Sequence, residues 1–334
     1  MTTQQPLTTG VTKKTPGRTA LRLEERDLSL LCDLFTHGAM LRVQVQALHF
    51  PSLRRCNRRL RQLFMAGCVA WTPLPLGTQA AWLSGQREMV INEQVINKEV
   101  VNNRAEAGFG SQYVFSSQYV YRLGPAGAQP VAQCLGWNEA DVRRLLRPGS
   151  PLYLAHALEG VRFRLLLTQA VETGNVRLLR FLPERLLLHA YEVRETGRPG
   201  APWRREVFKP DAFFEIALLA ARPAIGAACE PYPSRFFVEI DLGHTSAREF
   251  ANKVRIYRRY QGSGLFEKRY GGTGFRTLVC TTSPTRRDNL RRIVEGEGTD
   301  LFWLSTLADI ANPGPFAPVW HVPFRSEPVT LLPK

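Results

Sequence analysis

Three acidic residues and one lysine are the chemistry-bearing groups of this chain. Asp211 follows Lys209-Pro210, and Glu239 and Asp241 lie in the run Phe236-Phe237-Val238-Glu239-Ile240-Asp241-Leu242. Lys253 comes next, in a basic, helix-like stretch with Tyr257 and Tyr260. Side chains of a strand alternate between its faces. Phe236, Val238, Ile240 and Leu242 therefore share an apolar face, buried against a helix, and Phe237, Glu239 and Asp241 share the other. Two desolvated carboxylates this close repel each other, and a hard cation with oxygen ligands relieves the repulsion. Asp211, at the start of the preceding strand, supplies a neighbouring ligand, so Asp211, Glu239 and Asp241 could hold Mg²⁺ or Mn²⁺. Such a cation polarises a phosphate oxygen and makes a nucleophile of its bound water, with Lys253 stabilising the charge that develops. The same residues also fit a plainer arrangement, in which the acids face solvent and Lys253 sits in a surface pair.

Holding these groups together takes a sheet backed by helices. The pattern predicts a long amphipathic helix over 152–173, ending at Gly174. Strands follow at Leu186 to Val193, Val207 to Leu219 and Arg235 to Leu242. A helix from Ser246 to Gln261, a strand from Arg276 to Thr282, a helix from Pro284 to Val294 and a strand from Leu301 to Ser305 complete it. The order α-β-β-β-α-β-α-β implies a mixed-sheet α/β layered domain over 151–334. On the second helix of that half, Lys253 lies at the edge of the apolar stripe Phe250, Val254, Tyr257. His244 and Thr245 occupy the turn after the central strand, as supporting groups or turn residues. His156 and His189 read as histidines at the edge of the core. Glycine pairs around Lys268, Arg269 and Tyr270 suggest a mobile contact loop.

Upstream, the chain reads as equipment for reaching DNA. Residues 1–20 lack apolar side chains for a core and form a basic tail expected to be disordered. Helical spacing begins at Glu24, with Leu28, Leu31 and Phe35, and stops at Gly38. After a short apolar stretch from Leu41 to Leu48, Ser52 can cap a third helix, Leu53 to Ala66. Leu53, Cys56, Leu60, Leu63 and Phe64 fall on one arc of it, and Arg54, Arg55, Arg58, Arg59 and Arg61 on the opposite arc. No acid occurs between Asp33 and Glu88, so these arginines are expected to contact phosphates. Strands at Cys68 to Trp71 and Tyr119 to Leu123 would complete a winged helix-turn-helix over 21–150, with the third helix in the major groove. The segment between them, 77–118, is too long for an ordinary wing and has no physical explanation in the pattern. Arg147-Pro148-Gly149-Ser150-Pro151 marks the domain boundary.

The bulk numbers agree with a polyanionic partner. The 334 residues carry a net charge of +15, which favours double-stranded DNA over an anionic membrane surface. From Ala247 to Val294 the only acids are Glu249, Glu267 and Asp288, against many arginines that include Arg255, Arg258 and Arg259. These three are expected to form a second phosphate-tracking surface. The six cysteines are scattered, without zinc spacing or a signal peptide ahead of them. That pattern predicts a reducing, cytoplasmic setting, associated with nucleoid or plasmid DNA.

These residues together resemble the replication-relaxation family of plasmids and other mobile elements. The resemblance rests on Arg58-Arg59-Leu60, Tyr121-Arg122-Leu123-Gly124 with Gly127, and His156-Ala157-Leu158. Its most specific part is Pro210-Asp211-Ala212, Glu239-Ile240-Asp241 with Thr245, and Lys253 with Tyr257. It implies a winged helix followed by a domain similar to the PD-(D/E)XK nuclease superfamily, acting in plasmid replication, DNA relaxation or mobilisation. In that pattern the lysine expected two residues after Glu239 is Asp241 here, which would make Lys253 a displaced catalytic lysine. Two readings follow. One is a metal-dependent DNA-nicking enzyme. The other is a non-catalytic DNA-binding regulator or replication accessory, dimeric or working beside a relaxase or replication protein.

Overall fold

A computed structural model describes residues 21–73, 119–146, 150–194, 203–219 and 233–332. The basic tail, the 77–118 segment and the 147–149 junction lie outside the described residues.

The N-terminal part begins with helix α1 (Glu25–His37), which Gly38 stops with a positive φ of 84°. A two-residue strand β1 (Met40–Leu41) leads into α2 (Arg42–His49) and then α3 (Leu53–Met65), whose first turn is capped by the Ser52 hydroxyl accepting from the Arg55 N–H. Strands β2 (Val69–Pro73) and β3 (Tyr119–Leu123) complete a three-stranded antiparallel sheet in the order β1–β3–β2. Leu30, Leu31, Leu34, Phe35, Cys56, Leu60 and Leu63 bury the inner faces of the helices in one core. Gly124 closes β3 where no side chain would fit, since a Cβ there would meet the Gly67 carbonyl oxygen at 2.4 Å. Two short helices, α4 (Ala128–Leu135) and α5 (Glu139–Arg144), follow. The strand β1 has no sequence signal, because two residues are too few for alternation.

Helix α6 (Pro151–Thr173), capped by Ser150, departs from the predicted one-sided amphipathic helix. It is apolar on several faces because it packs two ways. Val161 enters the N-terminal core, while Leu154 and Leu158 meet Ala39, Leu41 and Val120. Phe163, Leu166 and Leu167 cover the second sheet.

That second sheet has five strands in the order β10–β9–β8–β7–β4: β4 (Val176–Pro183), β7 (Ala212–Leu218), β8 (Ser234–Asp241), β9 (Arg276–Thr281) and β10 (Phe302–Thr306). The pairs β4–β7 and β7–β8 are antiparallel, and the pairs β8–β9 and β9–β10 are parallel. The alternation predicted for β8 holds. Phe236, Val238 and Ile240 join the core under α6, and Phe237 joins the opposite core. That opposite face is covered by α7 (Ala247–Gly262), α8 (Leu265–Tyr270) and α9 (Pro284–Gly296). A short α10 (Leu307–Ala311) follows β10.

Two strand assignments change. The first strand of the sheet is β4, which the sequence reading passed over, and Leu186 to Val193 belongs instead to β5 (His189–Arg194). Among the described residues, β5 pairs with β6 (Trp203–Phe208) alone, in a separate two-stranded antiparallel sheet. The single strand expected over Val207 to Leu219 is thus broken between Phe208 and Ala212, and Asp211 sits at the break. Among the described residues, no helix is long and apolar enough to cross a membrane.

Candidate functional site

Strands β7 and β8 bring Asp211 and Glu239 together. Their antiparallel register ends at Ala212 opposite Val238, and the Asp211 N–H then donates to the Val238 carbonyl at 3.0 Å. Asp211 accepts the Ile240 N–H on Oδ2 at 2.7 Å, and the same oxygen lies 3.0 Å from His156 Nε2 on α6. Glu239 is only 3% exposed. Its two oxygens accept from the Lys253 ammonium and the Tyr257 hydroxyl, both on α7. Ser246 and Glu249 form a reciprocal cap that fixes where α7 starts. With Phe250, Val254, Tyr257 and Tyr260 turned inward, Lys253 lies at the stripe's edge, 37% exposed.

Burial raises the Glu239 carboxyl, and the nearby Asp211 charge adds to this, so it is pushed up to about 7 against the pull of Lys253 and Tyr257. The Lys253 ammonium is raised as well, which for a cation means that its charge is favoured. Burial disfavours its charge, but Glu239 and Asp211 outweigh that and keep it protonated. The two shifts are compatible because the glutamate is enclosed while the ammonium reaches solvent. For Asp211, burial works against ionisation, but His156, Lys253 and the Ile240 N–H hold it below its ordinary value. His156, which burial alone would lower, is pushed up to about 9 by Asp211.

Asp241 is placed elsewhere. Arg286 on α9 grips it with two hydrogen bonds, Nε to Oδ2 at 2.7 Å and Nη2 to Oδ1 at 3.0 Å. The Thr281 hydroxyl adds a third at 3.1 Å. Burial is overcome by this arginine, and the Asp241 carboxyl is held below its usual range. Arg286 also donates to the Thr245 carbonyl at 2.5 Å, so Asp241 ties α9 to the turn after β8. Among the described residues, no group of three or more His, Cys, Asp or Glu side chains is arranged to hold a metal ion. Of the three predicted acids, the structure brings Asp211 and Glu239 together and pairs Asp241 with Arg286 instead.

The arginine surfaces divide in the same way. On α3, Arg54, Arg55, Arg58 and Arg61 are exposed. Arg59 instead turns inward to Asp27, with Nε 2.9 Å from Oδ1 and a second contact to Oδ2, and it donates to the Arg22 carbonyl at 2.9 Å. Phe64, expected on the buried arc, is 42% exposed and packs on Trp71 with ring centroids 6.0 Å apart. On α7, Arg255 forms a bidentate pair with Glu297, and Arg258 donates to the Glu297 carbonyl at 2.7 Å. Arg259 forms its own bidentate pair with Glu206 on β6. These three arginines bind elements of the fold to one another, while Arg248, Lys268 and Arg269 remain exposed. The glycine loop after α8 is held by Arg235, which donates to the Gly271 carbonyl at 3.0 Å; a Cβ at Gly272 would meet its guanidinium at 2.0 Å.

Sequence reasoning missed His156, Tyr257 and Arg286 as partners of the acids. Tyr257 had a readable signal, standing four residues after Lys253 and so on the same helix face. His156 had none, because only the packing of α6 across the sheet brings it to Asp211.

The molecule is thus an α+β protein, with helices on both faces of a mixed sheet, and the buried Glu239 and half-buried Asp211 gathered where β7 meets β8. The replication-relaxation family matches residues 31–275, which is more than half of the chain, and the chain belongs to that family. Comparison with the curated proteins and with the solved structures finds no match.

Proposed function

We propose that this chain is a DNA-binding protein of a mobile element, acting in replication, relaxation or mobilisation, with a divalent-cation-dependent DNA-nicking site. The observation that carries the reading is the Lys253 ammonium bonded to Glu239, with Asp211 immediately before the adjacent strand. The connectivity α6-β4-β7-β8-α7-β9, with Asp211 entering the second of these strands and Glu239 in the third, supports a PD-(D/E)XK-like arrangement. The order α1-β1-α2-α3-β2-β3 with sheet order β1–β3–β2 supports a winged helix with α3 as its reading helix.

The donor set fits a small hard cation. Mg²⁺ is commonly held by one or two carboxylates, with waters and substrate phosphates completing the shell, and Asp211 and Glu239 offer that number. Bound there, the cation would polarise the scissile phosphate and lower the pKa of a water. Lys253 keeps its charge and reaches solvent, so its ammonium can meet a phosphate oxygen as negative charge develops. Tyr257 fixes the rotamer of Glu239, and His156 that of Asp211.

A second reading is a non-catalytic DNA-binding regulator or replication accessory. It is favoured by the fact that Asp211, Glu239 and Asp241 all have partners within the chain. Nicking of supercoiled DNA in Mg²⁺ or Mn²⁺, lost in Asp211→Ala and Glu239→Ala, separates the two. Cation-dependent nicking that persisted in both variants would remove the first reading.

DNA contact by α3 has its own test. Each phosphate neutralised contributes about 0.9 to the slope of log affinity against log salt. Replacing Arg54 and Arg58 together with alanine is expected to weaken binding and flatten that slope by about 2. Titrations of a labelled duplex at several salt concentrations measure it, and an unchanged slope would take α3 off the DNA.

A further inference from the structure

We infer that His156 is a positioning residue of the carboxylate site, holding Asp211 so that one of its oxygens stays open to a cation. The inference rests on the proposed reading of Asp211 and Glu239 as cation ligands. Asp211 Oδ2 takes both the Ile240 N–H at 2.7 Å and His156 Nε2 at 3.0 Å. Oδ1 has no protein partner among the described residues. Two donors on one oxygen fix the carboxylate plane and leave the other oxygen to a ligand, as donors behind a metal-binding carboxylate do.

The histidine itself is held from both sides. Gln44 on α2 donates through Nε2 to the Leu158 carbonyl at 2.9 Å, just beyond His156 on α6. Further along, Arg164 meets Asp33 of α1 at 2.7 Å. Leu154 and Leu158, flanking His156, pack on Ala39, Leu41 and Val120 of the N-terminal sheet region. The imidazole therefore reaches Asp211 from a helix that the N-terminal part of the chain grips. A histidine kept only to fill space would need no such alignment with the aspartate oxygen.

The test is Mn²⁺ binding by the full chain, read by the loss of the free-ion electron paramagnetic signal, with circular dichroism to check folding. Wild type should show a site that Glu239→Gln abolishes. His156→Ala should weaken it about 10- to 100-fold, and His156→Gln, whose amide can still donate to Oδ2, should recover most of the loss. Wild-type affinity in a folded His156→Ala, or a His156→Gln no better than the alanine variant, overturns the positioning role. Absence of a Glu239-dependent Mn²⁺ site in the wild type overturns the cation-site reading itself, and this inference with it. The two failures are thus distinguishable.

Discussion

Lys253→Met is expected to cost the fold about 3 kcal/mol near pH 8 and little near pH 5. Glu239 has a side chain only 3% exposed, and among the described residues Lys253 is the cation bonded to it. Among the described residues, removing the ammonium leaves the carboxylate with the Tyr257 hydroxyl as its hydrogen-bond donor. The group must then stay enclosed with its charge uncompensated or take up a proton. Its folded pKa, already raised from 4.5 to about 7 in the intact pair, rises further. The sign follows from proton counts. Between the unfolded and folded pKa the folded chain binds the extra proton, so stability falls as pH rises through that window. Denaturant midpoints at several pH values measure it. Glu239→Gln in the same chain should restore stability, because a neutral amide can still accept from Tyr257. A Lys253→Met loss independent of pH would argue against an enclosed carboxylate.

The second large effect is expected at Arg59. Asp27 is fully buried, and Arg59 is its cationic partner, placed on α3 on the other side of the N-terminal core. Arg59→Ala strands that carboxylate, for which about 3 to 5 kcal/mol is typical. Arg58→Ala, at an exposed position on the same helix, should change stability by less than about 0.5 kcal/mol. Burial is outweighed by the Arg59 hydrogen bond, and the Asp27 carboxyl sits below its ordinary value. The pair's contribution is therefore present at neutral pH and lost as pH falls through the lowered pKa. Thermal melts of the two variants decide the matter. Equal stability would return Arg59 to the outward-facing set that the helix arc alone suggests.

Arg59 illustrates what the sequence carries and what it does not. Periodicity within one element was legible. The alternation of β8, the inward stripe of α7 with Lys253 at its edge, and the capped α3 all appear in the structure, because each depends on neighbours within a turn or a pleat. Strand β4 escaped because Val176-Arg177-Leu178-Leu179-Arg180 breaks alternation, and its register with β7 shifts between Leu178 and Arg180. The split at Asp211 was hidden because the residues on both sides of it are strand-formers.

Partners of charges were the least legible part. Arg59 finds Asp27 32 residues away, Arg255 finds Glu297 42 away, and Arg259 finds Glu206 53 away. No local rule connects such positions, so all three looked like open phosphate contacts. The partner of Asp241 was hidden for the same reason. Asp241 shares a strand face with Glu239, but α9 brings Arg286 over that end of the strand, and the aspartate becomes a structural anchor. Lys253, by contrast, does reach Glu239, on the helix that follows the strand.

The central claim is that Asp211, Glu239 and Lys253 form a cation-dependent nicking site. The double variant Glu239→Gln/Lys253→Met tests it most directly, because exchanging the ion pair for neutral groups of similar size should keep the fold. Supercoiled DNA in Mg²⁺ or Mn²⁺ would be incubated with wild type and with the double variant, after their melts are shown to agree. The account predicts open-circular product from the wild type and none from the variant. Equal nicking by both, or none by either, would contradict it.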